Sequence, residues 1–308
     1  MSKNIKESPL QNNLIIWLCA MLCCALWGSA FPGIKIGYQL FEISGSDTAT
    51  VILFAGCRFT LAGLLTVLLG SCLSRKFLLP KGSSWRRVLW LSMLQTVLQY
   101  LFFYIGLAHT SGVKASIINA VNVFVALLVS SLIFRQEKLS TQKIVGCIIG
   151  FAGVVLINMS EMNFEISLTG EGFIFLSTVA YAFSSVYLKK CSAADNTVTL
   201  SGYQFITGGI IMILAGFLMD GKITTLTLNG LFLLIYLALV SAVAYTLWGI
   251  LLKHNPVSKI TVFGFMTPVF GVILSAVFLD EATQAAGIVS LISLILVCIG
   301  IYIVNRSK

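Results

Sequence analysis

The stretch VILFAGCRFTLAGLLTVLL, residues 51–69, decides the fold class of this chain. Arg58 is the only charged residue among its nineteen residues. A helix of that length is about 28 Å long at about 1.5 Å per residue, close to the roughly 30 Å of a bilayer's hydrocarbon core. The stretch therefore predicts a transmembrane helix that carries one arginine near its middle.

The rest of the chain has the same character. Of its 308 residues, 58% are hydrophobic and 10% are charged, and the mean hydropathy is +0.97. Soluble domains carry about 25% charged residues. The composition predicts an all-α integral membrane protein with ten transmembrane helices. The ten apolar runs lie at about 14–36, 49–72, 86–107, 112–134, 141–158, 172–189, 198–219, 229–251, 260–279 and 285–304.

The positive charges indicate how the chain is oriented. With the N-terminus inside the cell, 16 of the 20 lysines and arginines fall on the cytoplasmic side. The exceptions are Lys35, Lys114 and Lys222 outside and Arg58 within a span. This bias predicts that both termini are cytoplasmic. It also explains the net charge of +9 by topology, so membrane lipid is an expected partner and nucleic acid is not.

The chain divides into two halves of five spans each, residues 1–158 and 159–308. Both fourth spans end in the pattern S-x-x-F-x-x-E. The matching residues are Ser131, Phe134 and Glu137 in the first half and Ser275, Phe278 and Glu281 in the second. Five is an odd number, so the second copy is predicted to be inverted in the membrane. Inverted repeats with a site between them are typical of secondary transporters that work by alternating access.

Several short motifs occur in a telling order along this layout. They are WGSAF at 27–31, the pair Arg58-Phe59, SLIFRQE at 131–137, GFAGVVLI at 150–157 and TPVFGVILSAVFLDE at 267–281. Together they resemble the EamA-type branch of the drug/metabolite transporter superfamily. The resemblance implies a ten-helix inverted-repeat carrier of the inner membrane that exports or exchanges small metabolites such as amino acids. One departure is that helix 9 has Pro268 where helix 4 has Phe124, which argues against a matching kink in helix 4.

Polar side chains inside the spans outline a candidate binding site. Such side chains are costly in hydrocarbon unless they face the bundle interior or a wet cavity. Amides and hydroxyls can bind the polar groups of a small solute, and aromatic rings can bind its apolar part. The alternative is that these residues only bond neighbouring helices together. The candidate substrate-binding residues are Trp27, Arg58, Gln95, Gln99, Tyr100, Asn119, Asn122, Tyr181, Ser185, Tyr245, Trp248 and Phe265.

Arg58 itself has three interpretations. It could bind backbone carbonyls or a buried polar cluster in a structural role, it could pair with the carboxylate of a substrate, or it could reach the membrane interface. All eleven Asp and Glu residues fall in loops or at span ends. The sequence therefore predicts that no membrane-embedded carboxylate relay drives transport.

Weak places in two helices indicate where the molecule moves. Gly28, Pro32 and Gly33 are expected to interrupt helix 1, and the segment 264–271 with its proline is expected to interrupt helix 9. Both are predicted to be gating helices.

Other functions are also open to a chain of this kind. A flippase for a lipid-linked substrate is the nearest alternative, and a channel would need several copies of the chain. An enzyme is disfavoured because no nucleophile, acid/base pair or metal-ligand motif lies in a span, and no cofactor is expected. A homodimer is one assembly that the sequence allows.

Overall fold

The computed structural model describes residues 9–110, 112–159, 167–278 and 288–307. Within these ranges the regular structure is entirely helical. The apolar helices, numbered here along the chain, are α1 Asn13–Leu40, α2 Thr48–Ser74, α3 Gly82–Leu107, α4 Ile117–Ile133, α5 Thr141–Ile157, α6 Leu168–Cys191, α7 Thr197–Leu218, α8 Leu228–His254, α9 Val257–Leu274 and α10 Leu291–Arg306. The helical backbone of α4 starts at Gly112, that of α9 ends at Phe278, and that of α10 starts at Ile288.

Seven of these helices are long and apolar enough to cross a membrane, and α4, α5 and α10 are shorter apolar helices. Each predicted span overlaps one helix of the structure. Large apolar side chains such as Leu68 and Ile210 are exposed on the outside of the bundle, as a lipid-facing surface requires. The all-helical membrane class is confirmed, whereas the count of ten spans stays a prediction.

Short polar side chains fix where several helices begin. Asn12 caps α1 through a 2.9 Å hydrogen bond from the Leu14 amide, and Asp47, Ser140, Asn196 and Thr227 do the same for α2, α5, α7 and α8. A cap gives the first amides of a helix the partner that they lack inside the helix itself. These caps mark the boundaries between apolar runs and loops.

Several of the largest helix contacts recur when helix n is exchanged with helix n + 5. α1 packs on α8 and α9, while α6 packs on α3 and α4. α2 packs on α8, and α7 packs on α3. The pairs α2–α7 and α5–α10 each join a helix to its counterpart. Helices with the same rank in the two halves therefore occupy matching places in the bundle.

Glycines bring the counterpart helices close together. A Cβ added to Gly63 of α2 would lie 2.5 Å from the carbonyl oxygen of Gly202 in α7. One added to Gly300 of α10 would lie 2.6 Å from the carbonyl oxygen of Gly146 in α5. No real side chain fits at those distances. Small residues at such contacts let membrane helices gain packing energy that lipid cannot supply.

The fourth helix of each half, α4 and α9, contains a tight turn at the corresponding position. In α4 the Val121 amide donates to the Ile118 carbonyl at 3.0 Å, between the segments Gly112–Ala120 and Asn122–Leu128. In α9 a 3₁₀ segment runs over Val262–Phe265. The shift of 144 residues that aligns the two S-x-x-F-x-x-E patterns places one turn on the other.

The expected interruption of α9 is present only at the start of the predicted segment, in the 3₁₀ turn, since α9 is α-helical from Met266 to Phe278 through Pro268. The argument against a matching feature in α4 was wrong, because α4 has its own turn at Val121. An i→i−3 turn keeps its backbone hydrogen-bonded and so needs no proline. The predicted interruption of α1 was also wrong, since α1 is helical through Pro32. Its glycines serve close packing instead, because a Cβ at Gly28 would lie 2.5 Å from Phe270 of α9. Glu281, the predicted counterpart of Glu137, lies outside the described residues.

Candidate functional site

Five of the predicted side chains meet in the middle of the bundle. Trp27 of α1 lies with its ring centroid 5.1 Å from Tyr245, 5.0 Å from Trp248 and 6.4 Å from Tyr181. The hydroxyls of Tyr100 and Tyr245 are hydrogen-bonded at 2.7 Å. Trp27 is roughly 20 Å from either end of α1, so the group lies near mid-membrane depth. These five residues are called the aromatic cluster below.

Arg58 lies beside this cluster and is 4% exposed. Its guanidinium carbon is 4.4 Å from the centroid of the Phe59 ring and 5.7 Å from that of Tyr100. Its Nε is buried without a hydrogen-bond partner. The titratable groups that act most strongly on its charge are the phenols of Tyr38, Tyr100, Tyr104 and Tyr245. Arg58 does not reach the interface, so that interpretation was wrong.

Further polar atoms around the aromatic cluster are buried without a partner. They are Nε1 of Trp27 and Trp248, Oε1 of Gln99 and Oγ of Ser185. Gln99 lies beside Tyr245, and Ser185 lies beside Tyr181. A buried polar group without a hydrogen bond costs about 1–3 kcal/mol. A solute that offered partners to these atoms would remove that cost.

The remaining predicted residues lie elsewhere. Asn119 accepts a hydrogen bond from Thr178 of α6 at 3.1 Å, so here it holds two helices together. Asn122 of α4 is half-buried, and Gln95 of α3 is buried one turn before Gln99. Phe265 is fully buried in the large apolar core that also contains Trp248, and its ring centroid is 6.4 Å from that of Phe124. Its predicted place in an aromatic wall of the site stays a prediction.

Two rings of the site were missed by sequence reasoning. Phe59 and Phe205 stack with centroids 5.4 Å apart, and Phe205 meets Tyr245 at 5.2 Å. Phe59 follows Arg58 directly, which was an available signal. Phe205 has no polar atom to distinguish it from the other apolar residues of its helix, so only the three-dimensional contact finds it.

A second polar group joins the two halves at one end of the bundle. The carboxylate of Glu137 accepts hydrogen bonds from Ser130 Oγ at 2.6 Å, Lys143 Nζ at 2.8 Å and the Ser258 amide at 3.0 Å, as well as from the Ser258 hydroxyl. Ser258 begins α9, so the carboxylate also faces the positive end of that helix. Ser130, Glu137, Lys143 and Ser258 are called the Glu137 latch.

Glu137 lies at the end of a span, as predicted, but its side chain is only 6% exposed. This burial follows from partners that the sequence does not reveal, and the absence of a carboxylate relay through the membrane core stays a prediction. Burial raises the pKa of Glu137, but hydrogen bonds from Lys143, Ser130 and Ser258 outweigh that effect and hold the pKa below its usual range. A cavity of about 250 Å³ borders the latch and Lys259.

Other polar contacts close the same end. Lys189 Nζ donates to the Asn255 carbonyl, and Asn255 Nδ2 donates to the Leu10 carbonyl at 3.0 Å. Arg87 and Asp195 form an ion pair at 2.5 Å. The loops of both halves are therefore tied together at the Glu137 end.

Comparison with known proteins identifies the family. The model of the EamA-like transporter family matches residues 14–159 and 168–306. The chain belongs to this family. A transporter of Archaeoglobus fulgidus is 28% identical over 95% of this chain and 99% of its own length. The transporter YvbV of Bacillus subtilis is 27% identical over 83% of each chain, and protein PecM of Dickeya dadantii is 26% identical over 83% of this chain and 86% of its own.

A solved crystal structure shares the fold. Its TM-score to this EamA-like transporter is 0.76 at 16% identity, over 95% of this chain and 96% of the other. Family and relatives together make the chain a multi-pass membrane transporter and bear out the resemblance seen in its motifs. Within the described ranges, no group of three His, Cys, Asp or Glu side chains could hold a metal ion.

Proposed function

We propose that this EamA-like transporter is an alternating-access carrier for a small polar or amphipathic organic solute, with amino acids and related metabolites as the starting class. It works by efflux or exchange in the cytoplasmic membrane, with both termini in the cytoplasm. Its ten spans form two inverted halves, residues 1–158 and 159–308. The exchange symmetry of helix packing and the matching turns in α4 and α9 support this arrangement.

The observation that carries the proposal is that both halves of the chain contribute rings to the aromatic cluster. Trp27 and Tyr100 belong to the first half, whereas Tyr181, Tyr245 and Trp248 belong to the second. A rocking motion between the halves would open this group to one side of the membrane and then to the other. Its unpartnered polar atoms give a solute something to bind.

The Glu137 latch fits the same cycle. It ties the end of α4 to the start of α9 and so joins the two halves at one face. On the proposed topology that face is cytoplasmic. In the structure the latch is formed, so release of these hydrogen bonds accompanies opening toward the cytoplasm.

Water access to mid-bundle tests the carrier without knowledge of its solute. Ser241 lies one turn before Tyr245 on the same face of α8 and is 5% exposed, whereas Val243 is 40% exposed on the outer face. Each position is changed to cysteine in a protein whose eight native cysteines are replaced. We expect Ser241→Cys in sealed vesicles to react with a membrane-impermeant thiol reagent and Val243→Cys to remain unlabelled.

The two variants lie at nearly the same depth, so depth alone cannot separate them. Reaction of both cysteines after denaturation checks that each thiol is intact. If Ser241→Cys resists labelling from both sides of the membrane, the carrier proposal fails.

The flippase alternative receives less support. Tyr245 and Trp248 are 5% and 3% exposed, so the aromatic cluster is enclosed by helices. A lipid-linked substrate would need a groove that opens toward the acyl chains.

A further inference from the structure

The charge on Arg58 is the feature of the candidate site that the proposed function leaves unexplained. An arginine in the membrane is normally paired or hydrogen-bonded, because its charge is costly to desolvate. Arg58 is 4% exposed and has an unpartnered Nε. In the described parts of the chain, the titratable side chains that act most strongly on its charge are phenols, which are neutral at physiological pH.

The aromatic cluster beside Arg58 presents mostly hydrogen-bond donors and hydroxyls. The indole N–H groups of Trp27 and Trp248 are buried without acceptors, and the hydroxyls of Tyr100 and Tyr245 are hydrogen-bonded to each other. Gln99 Oε1 and the Ser185 hydroxyl are the unpartnered acceptors of the group. Among the described residues, the site therefore offers few free acceptors, and no carboxylate is among the titratable groups closest to Arg58.

We infer that this site binds an organic carboxylate with a planar apolar body, and that Arg58 pairs with the carboxylate. The inference rests on the proposed carrier function and narrows its solute class. The planar fork of a guanidinium matches a carboxylate in two parallel hydrogen bonds. Edge-on aromatic rings of the cluster then contact the apolar body, as they contact each other in the structure.

The same distribution of charge predicts which carboxylates bind most tightly. An amino acid brings an ammonium group as well as a carboxylate. Arg58 repels that ammonium group, and none of the titratable side chains that act most strongly on Arg58 in the described ranges is a carboxylate. A simple carboxylic acid anion therefore binds more tightly than the amino acid with the same ring.

Three probes with the same carbon skeleton test the assignment. Phenylacetate carries the anion, phenylacetamide replaces it by a neutral group, and phenylglycine adds the ammonium group. Binding to the purified full chain is measured by thermal shift and by calorimetry, and exchange of labelled phenylacetate is measured in proteoliposomes. We expect phenylacetate to bind at least about tenfold more tightly than the amide, with phenylglycine between them.

Variants of Arg58 test whether this residue causes the preference for the anion. In Arg58→Gln the preference for the anion over the amide falls to about one, since the charge-assisted pair is lost. Arg86→Gln is the matched control, because Arg86 is exposed at the start of α3 and the same charge is removed far from the site. Arg58→Lys keeps the charge but loses the fork, so it retains a reduced preference and serves if the glutamine variant does not fold.

Each outcome decides the question. Equal binding of acid and amide by the wild type, an unchanged preference in Arg58→Gln, or no response to any of the three probes overturns the carboxylate assignment. The labelling of Ser241→Cys is independent of any solute. If that labelling succeeds while the probes fail, the carrier stands and only its solute class is wrong.

Discussion

Glu137 shows how one side chain can join two halves of a membrane protein. Its carboxylate and the Lys143 ammonium are both nearly buried, with side chains 6% and 8% exposed. Removing one partner of such a pair leaves a buried charge alone, which costs about 3–5 kcal/mol. We expect Glu137→Ala to lower the free energy of unfolding in detergent by about 3 kcal/mol. Glu42→Ala is the control, since Glu42 is exposed and bonds only to the Thr225 hydroxyl among the described residues.

The same residue links stability to pH. Because the pKa of Glu137 is lower in the folded chain, its contribution is complete above the usual glutamate pKa of about 4.3 and is lost as the pH falls through the folded value. The melting temperature of the wild type should therefore fall more steeply on acidification below about pH 4 than that of Glu137→Gln. Parallel pH curves for the two proteins would show that Glu137 is not charged in the folded state.

At the scale of the helix, glycine contacts set how closely the halves approach. A methyl group at Gly63 would collide with the backbone of Gly202, whereas nothing lies within 4 Å of the corresponding position at Gly82. We expect Gly63→Ala to lower the free energy of unfolding by about 1–3 kcal/mol, as overpacking does, and Gly82→Ala to leave it nearly unchanged. Thermal unfolding of the two variants in one detergent measures the difference. Equal melting temperatures would show that α2 and α7 can separate at little cost.

The positions of the helices were predictable from the sequence because they depend on one physical requirement, the length of apolar chain that a bilayer demands. Each apolar run overlaps a helix of the structure, and seven of these helices are long and apolar enough to cover the thickness of a bilayer. The turn at Val121 was not predictable in the same way, since no glycine or proline marks it. The continuity of α1 through Pro32 depends on neighbouring helices that fill the space around it. The pattern of apolar residues shows where helices lie, but it does not show features that depend on packing against neighbouring helices.

In the whole molecule, the candidate site was predictable as a set of polar and aromatic residues in spans but not as a shape. Trp27, Tyr181 and Tyr245 come from helices far apart in the chain, and their meeting depends on how the halves pack. Glu137 and Ser258 are 121 residues apart, so no local pattern could show that one binds the other. Asn119 illustrates the converse, because its amide bonds a neighbouring helix.

In the proposed transport cycle, the Glu137 latch predicts which conformation is preferred. Glu137→Gln removes the charge that holds the start of α9, so it should favour the state open at that end. Labelling of Ser241→Cys from the Glu137 side should then rise several-fold relative to labelling from the opposite side. Vesicles of known orientation, with the reagent added on one side at a time, measure this ratio. An unchanged ratio would show that the latch stabilises the fold without controlling access.

The lone cation at Arg58 has an electrical consequence. In the proposed cycle, water reaches Arg58 first from one side of the membrane and then from the other. The membrane voltage falls across the closed part of the protein, so this closed part lies on opposite sides of Arg58 in the two states. A full unit charge crossing the field is worth about 2.3 kcal/mol per 100 mV. The empty carrier would therefore respond to membrane voltage as it reorients, and a bound anion would cancel that response.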